Sequence, residues 1–316
     1  MDATAVLSTR YERHRVLALG VTALFVLLAA PVSGRWGGAE LALAGAVVVL
    51  VGLPHGALDA LIALRVRGGR GRSSILAAYL GLAGLTVLFW SLWPVAALLV
   101  FLLLSLIHFG RGDVPHARRG DALIELEVGV RGGLPLVLPM VFSPREVARI
   151  FAMLVDAPEA NVEAVIANSV LPLGLVWAAA TLTLVILWLR KRGAGARMDL
   201  AELAALVSAF GLLSPLLAFA LYFGAWHSMR HLLVLHSWLG ERDRSAVLRR
   251  GSPVLAATLL LGTLGYLWTA GQPLDPRAFA QVLFIGLAAL TVPHMFVTLV
   301  LDQQLESSRG KASCPR

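Results

Sequence analysis

The chain has 316 residues, of which 58% are hydrophobic and 15% charged, with a formal net charge of +8 at pH 7. Soluble domains carry about 25% charged residues, so this composition excludes a soluble domain with one anchor and predicts a polytopic membrane protein. The basic excess lies in short segments between apolar runs, where it sets topology, and excludes nucleic acid as the partner such a charge would otherwise suggest.

The first apolar run, Val16 to Val32, follows Arg10, Arg13 and Arg15 and lacks a small-residue cleavage site, so it reads as a retained first helix, near 15–32. Nine further runs follow, near 40–64, 74–92, 94–110, 122–142, 168–189, 199–214, 216–239, 254–270 and 278–301. A membrane-crossing helix needs roughly 17–25 apolar residues, and several of these runs are short by that measure. Proline disfavours helix at the preceding residue, so Trp93–Pro94 and Ser214–Pro215 read as tight turns between adjacent helices. The stretch 143–167 reads as a long outer loop.

Lysines and arginines cluster at 10–15, 65–72, 111–119, 190–197, 242–250 and 309–316. Only Arg35, Arg145, Arg149 and Arg277 fall in the alternate segments, and Arg131 and Arg230 lie within helices. The positive-inside rule then predicts an all-α bundle of about ten transmembrane helices with both termini cytoplasmic, or eight if one hairpin is re-entrant. The chain reads as a single integral membrane domain over 1–316, with a cytoplasmic segment 1–14, a bundle 15–302 and a cytoplasmic tail 303–316. The one cysteine, Cys314, excludes intrachain disulfides, Cys-ligated zinc and iron–sulfur clusters.

Six histidines sit inside or at the edge of these runs: His55, His108, His227, His231, His236 and His294. An intramembrane imidazole needs a partner and is a functional candidate by default. On the expected topology His55 lies about 15 Å, and His231 about 16 Å, before the cytoplasmic end of its helix, at 1.5 Å per residue. His108 lies nearest the surface. His227 and His231 are spaced i, i+4 and share a helical face, as two ligands of one metal require. The bland alternative is that each histidine hydrogen-bonds a neighbouring helix. Similar depth of several histidines favours ligation.

Asp59 is i+4 from His55 and on the same face, placed to accept from its non-ligating nitrogen. Gly52 and Gly56 form a small-xxx-small pattern for close packing. Asp113, at the end of the His108 helix, reads equally as a partner of the site or as solvated. His236 is rotated off the His227/His231 face and reads as a supporting or structural residue. His294 follows Pro293 as His55 follows Pro54, and reads as an additional ligand or a hydrogen-bonding partner. His14 and His116 lie in basic segments and read as solvated. Phe109, Tyr222, Phe223, Trp226 and Phe296 surround the histidines and are candidate walls of a substrate pocket. Glu127 and Arg131, i and i+4, read as an intrahelical pair.

Imidazole ligation suits zinc, copper, iron or nickel. Four histidines with open positions suit a redox-active Fe(II) that binds a small molecule such as O2. A retinal Schiff base is excluded, because the only lysines, Lys191 and Lys311, lie outside the apolar runs. A membrane metal or proton transporter using Asp59, Glu127, Arg131 and the histidines is the non-enzymatic alternative.

The segments Gly-Leu-Pro-His55-Gly-Ala-Leu-Asp59, His108-Phe-Gly-Arg-Gly-Asp113, Tyr222-Phe-Gly-Ala-Trp-His227-Ser-Met-Arg-His231 and Val-Pro-His294 resemble, in order, the Brp/Blh family of bacterial and archaeal membrane β-carotene 15,15′-dioxygenases. The resemblance implies cleavage of the central double bond of β-carotene with O2 at a non-haem Fe(II), giving two all-trans-retinal. It further implies that His55, His108, His227 and His231 hold the iron, and that the substrate comes from membrane lipid of the bacterial cell (inner) membrane. A functional link to a microbial rhodopsin is also implied. The chain departs from the family in its N-terminal helix and in the stretch 143–167.

Overall fold

The structure is a computed structural model that describes residues 3–34, 38–52, 56, 58–59, 62–63, 71–115, 118, 121, 123–191, 193–239, 244–272 and 275–312. Among these residues there are helices and no strands. The chain divides into two compact units, one of residues 1–52 with 102–240 and the other of 53–101 with 241–316.

In the first unit α1 (Ala3–Ala29) leads through a 3-10 turn, Ala30–Val32, to α2 (Gly38–Val47) and a π turn, Val48–Gly52. It continues in α4 (Pro94–Asp113), whose second half belongs here, and then α5 (Ile124–Phe142), α6 (Pro144–Val155), α7 (Glu159–Lys191) and α8 (Ala194–Leu212). α9 (Pro215–Leu221), a π segment (Tyr222–Ser228) and α10 (Met229–Leu239) close it. The second unit holds α3 (Arg72–Leu92), the start of α4, α11 (Arg244–Thr269) and α12 (Pro276–Ala312). In it α12 packs on α3 and α11.

The proline steps break helices where the sequence places them. α3 ends at Leu92 and α4 starts at Pro94; α8 ends at Leu212 and α9 starts at Pro215. The stretch 143–167, expected as loop, is helical almost throughout. Pro144 stops α5 and turns the chain through 109° into α6. α6 is amphipathic: Val147 and Ala148 pack with Ile166 of α7. On its other side Arg145 and Arg149 pair with Glu163 and Glu159.

Among the described residues, five helical stretches are long and apolar enough to cross a membrane: Thr9–Val32, Ser73–Leu92, Pro94–Asp113, Glu159–Lys191 and Pro276–Val300. A sixth arises if α5 and α6 are one bent span. Their large apolar side chains are widely exposed, Leu27 at 73% and Val176 at 71% among them, as lipid-facing surface requires. The protein is thus an all-helical membrane protein; among the described residues fewer helices qualify as spans than the ten runs suggest. The run 199–214 falls short because α8 carries Asp199 and Glu202 inward. The run 216–239 is broken by the π segment.

Glycines let α4 and α5 approach backbone to backbone. A Cβ at Gly110 would collide with the Val128 carbonyl, and one at Gly132 with the Leu106 carbonyl. α7 closes over this pair, where Trp177 Nε1 donates to the Val130 carbonyl at 3.0 Å. Gly132→Val is expected to lower stability by about 1–3 kcal/mol through overpacking. Gly129→Ala, whose Cβ meets nothing within 4 Å, is expected to be neutral or stabilising by up to about 1 kcal/mol. Thermal unfolding in detergent compares the two.

Candidate metal centre

The last turn of α4 carries His108, Phe109 and Asp113, all buried. Gly112 keeps this turn bare on the side of the π segment, where an added Cβ would lie 2.8 Å from His227 Cε1. The imidazole of His227 therefore sits against α4 with both nitrogens engaged. Its Nδ1 is 3.3 Å from Asp113 Oδ1, and its Nε2 is 3.0 Å from His108 Nε2. Tyr222 donates its hydroxyl to Asp113 Oδ2 at 2.8 Å. Asp113, which the sequence left open between two roles, is a buried acceptor shared by Tyr222 and His227.

An ionised carboxylate beside Nδ1 selects the tautomer with the proton on Nδ1 and the lone pair on Nε2. That is the arrangement of a metal-ligating histidine backed by a carboxylate. Two imidazole nitrogens bound at about 2.1 Å on adjacent octahedral corners lie about 3.0 Å apart. The His108–His227 separation matches that value, and also fits a single N–H···N hydrogen bond. The donor set accordingly fits a metal, with neutral imidazoles of the kind iron accepts.

Three of the expected pocket residues close around His227. The Phe109 ring is 4.8 Å from it edge-on, Phe223 stacks at 5.9 Å, and Tyr222 stacks at 6.2 Å. Trp226 faces α1 instead, with Nε1 donating to Thr22 Oγ1 at 2.9 Å. Phe296, in the second unit, is 57% exposed. His231 lies in α10, half-buried. His55 and His116 lie outside the described residues, and of His236 only the backbone, in α10, is described.

The second unit holds a parallel arrangement. His294 Nδ1 is 2.8 Å from Asp59 Oδ1 and 2.9 Å from Oδ2, and the Tyr79 hydroxyl donates to Asp59 Oδ2 at 3.0 Å. Asp59 is completely buried. His294 thus makes the hydrogen bond to Asp59 through Nδ1, which leaves its Nε2 open to either of the two roles expected for it. Tyr79 carried no signal in the sequence beyond its place in an apolar run.

Behind Asp113 lies a buried charge network. Arg230 donates to the Asp113 carbonyl at 3.4 Å and pairs with Glu202 at 2.9 Å. Glu202 also pairs with Arg15 and Arg131, and Asp199 pairs with Arg15, Arg131 and Arg118. The expected Glu127–Arg131 pair is present at 2.8 Å, and Glu127 takes Arg118 as well. His14 was expected solvated and Arg15 was read as a topology signal at the cytoplasmic edge of the first run; both lie in α1. Arg15 is buried by its two carboxylates, and His14 Nε2 donates to the Ala225 carbonyl at 2.8 Å. Asp199 and Glu202, spaced i, i+3 inside an apolar run, were the available sign of this network.

Residues 46–302 match the family model of β-carotene 15,15′-dioxygenase. The chain is 32% identical over 260 residues to the beta-carotene 15,15′-dioxygenase of uncultured marine bacterium 66A03, covering 80% of this chain and 90% of that protein. It is 30% identical over 293 residues to the probable beta-carotene 15,15′-dioxygenase Blh of Halobacterium salinarum, covering 82% of this chain and 83% of that protein. No solved structure matches it. The chain is a membrane enzyme, as the fold and these relatives require. It belongs to the Brp/Blh family of β-carotene 15,15′-dioxygenases.

Removing one member of a buried ion network strands its partners, at a cost of about 3–5 kcal/mol. Glu202→Gln, which removes one charge facing Arg15, Arg131 and Arg230, is expected to fall in that range. Glu125→Gln, on the exposed Arg111–Glu125 pair, is expected to change stability by less than about 1 kcal/mol. Thermal unfolding of both variants in one detergent separates them.

Proposed function

We propose that this enzyme cleaves the central 15,15′ double bond of β-carotene with O2 at a histidine-held non-haem Fe(II), giving two all-trans-retinal. One oxygen atom of O2 goes to each aldehyde, and the two products together hold the whole carbon skeleton. The observation that carries this reading is the Asp113–His227–His108 array in a chain of this family. His55, His108, His227 and His231 are the proposed ligands. Iron bound there supplies the activation of O2 that a hydrocarbon substrate and protein side chains alone lack.

The chain's own residues have separate tasks. Asp113 holds His227 in the tautomer whose Nε2 carries the lone pair. Phe109 and Phe223 cover the imidazole and exclude water. Their faces also suit an apolar polyene on which positive charge develops. The exposed apolar helices allow the substrate to enter from membrane lipid rather than from water. The bacterial inner membrane with both termini cytoplasmic is the proposed location. The product, an apolar aldehyde, suits a retinal-binding membrane protein such as a microbial rhodopsin as its consumer.

Expression in a β-carotene-producing bacterium, followed by pigment extraction and chromatography, tests the reaction. Retinal with no shorter apocarotenals is expected; unchanged carotene with the protein present in the membrane and iron supplied would refute it. His55→Ala, His108→Ala, His227→Ala and His231→Ala are each expected to lower iron content and abolish retinal formation while leaving membrane insertion intact. Full iron and activity in all of them would overturn the ligand set. Chelation is expected to abolish activity, and Fe(II) but not Zn(II) to restore it.

A further inference from the structure

The π segment Tyr222–Ser228 changes which residues share a face. In an α-helix, residues five apart differ by about 140° of rotation. Tyr222 and His227 would then address different neighbours. A π turn closes i to i+5 and brings them onto one side. Their rings stack, with centroids 6.2 Å apart and planes at 30°, and both end on the Asp113 carboxylate. The winding is held from outside. The Ala225 carbonyl accepts from His14, Trp226 Nε1 donates to Thr22, and Gly224 and Gly52 admit Val47 and Phe223 at close range.

We propose that Asp113 and Tyr222 are positioning residues for His227, brought together by this π turn. Asp113 fixes the proton on Nδ1 so that Nε2 faces His108, and the Tyr222 hydroxyl pins the second carboxylate oxygen. Arg230, whose Nη1 lies 3.7 Å from Asp113 Oδ1, balances the charge. The proposal rests on the iron-binding reading of His227. The same tyrosine–aspartate–histidine arrangement recurs in Tyr79, Asp59 and His294, which marks it as a solution to holding an imidazole in apolar surroundings rather than an accident of one contact.

The test uses purified, iron-loaded protein in detergent and compares wild type with Asp113→Asn, Tyr222→Phe and His227→Ala. Three quantities are read: iron retained against a competing chelator, the electron paramagnetic resonance spectrum of the nitric oxide adduct of Fe(II), and the split between kcat and KM. Loss of a partner behind a ligating histidine weakens metal binding about 10–100-fold. D113N is expected in that range and Y222F at its lower edge. Both are expected to shift the rhombicity of the adduct spectrum and to lower kcat with little change in KM. Y222F keeps the ring and every charge, so it decides the matter if D113N does not fold. Wild-type iron retention and an unchanged spectrum in Y222F and folded D113N, beside loss of iron in H227A, would overturn the positioning role alone. Retention of iron by H227A would instead overturn the site on which the role depends.

Discussion

A carboxylate among apolar helices is stable only when its charge is matched and its oxygens are hydrogen-bonded. Asp113 meets both conditions, and the first unit is built around that requirement. Arg230 balances it, yet an arginine brings five donors and needs acceptors in turn. Glu202 supplies one, Arg15 and Arg131 then balance Glu202, and Asp199 and Glu127 complete the set with Arg118. Four arginines face four carboxylates, drawn from α1, α4, α5, α8, α10 and the turn after α4. Hydrophobic burial has no preferred register, and it is weak between helices whose alternative neighbour is lipid. The ion network has one register, because each partner must lie within hydrogen-bonding distance. It therefore fixes how α1, α5, α8 and α10 sit around the end of α4, and so where His227 meets His108. Aromatic faces finish the enclosure: the Arg230 guanidinium lies 5.1 Å from the Trp226 ring and 5.7 Å from Tyr11, and Arg131 lies 5.6 Å from Trp188.

The parts of this arrangement that were legible in the sequence are those governed by local rules. Proline breaks at Trp93 and Ser214 follow from backbone sterics. The Glu127–Arg131 pair follows from helical spacing, and the interest of the buried His108, His227 and His294 follows from the cost of burying imidazole. What was hidden depends on partners far along the chain. Arg15 reads as a topology signal because nothing nearby shows that Asp199 and Glu202 await it. His14, in the same basic segment, reads as solvated although it caps a carbonyl of the π segment. The π winding has no marker in Tyr222–Ser228 itself, so His227 and His231 were paired by α-helical spacing. The π turn also stacks His227 on Tyr222, five residues earlier, and both reach the Asp113 carboxylate. The stretch 143–167 misled for a different reason: its charged residues suggest loop, whereas they form the outer face of an amphipathic helix whose apolar face packs on α7.

α1 lies outside residues 46–302, the part of the chain that matches the family. It nonetheless supplies Arg15 to the ion network, Thr22 to Trp226 and His14 to Ala225. Each contact is polar and reaches either the π segment or the carboxylates behind it. In this chain the first helix is thus part of the scaffold that holds the centre, in addition to carrying lipid-facing leucines on its other side.

The recurrence of one motif in both units has a simple physical origin. An imidazole has two nitrogens, and in apolar surroundings a proton wandering between them would leave each alternately a donor and an acceptor. A carboxylate against Nδ1 ends that ambiguity, since an ionised carboxylate only accepts. The carboxylate then has lone pairs to spare, and a tyrosine hydroxyl takes one without adding charge, whereas a lysine or a second arginine would upset the balance. Asp113 with Tyr222 and Asp59 with Tyr79 follow this logic for His227 and His294 respectively. In both, the proton goes to Nδ1 and the lone pair to Nε2, so the fold settles the direction in which each imidazole can donate a hydrogen bond and the direction in which it can accept one.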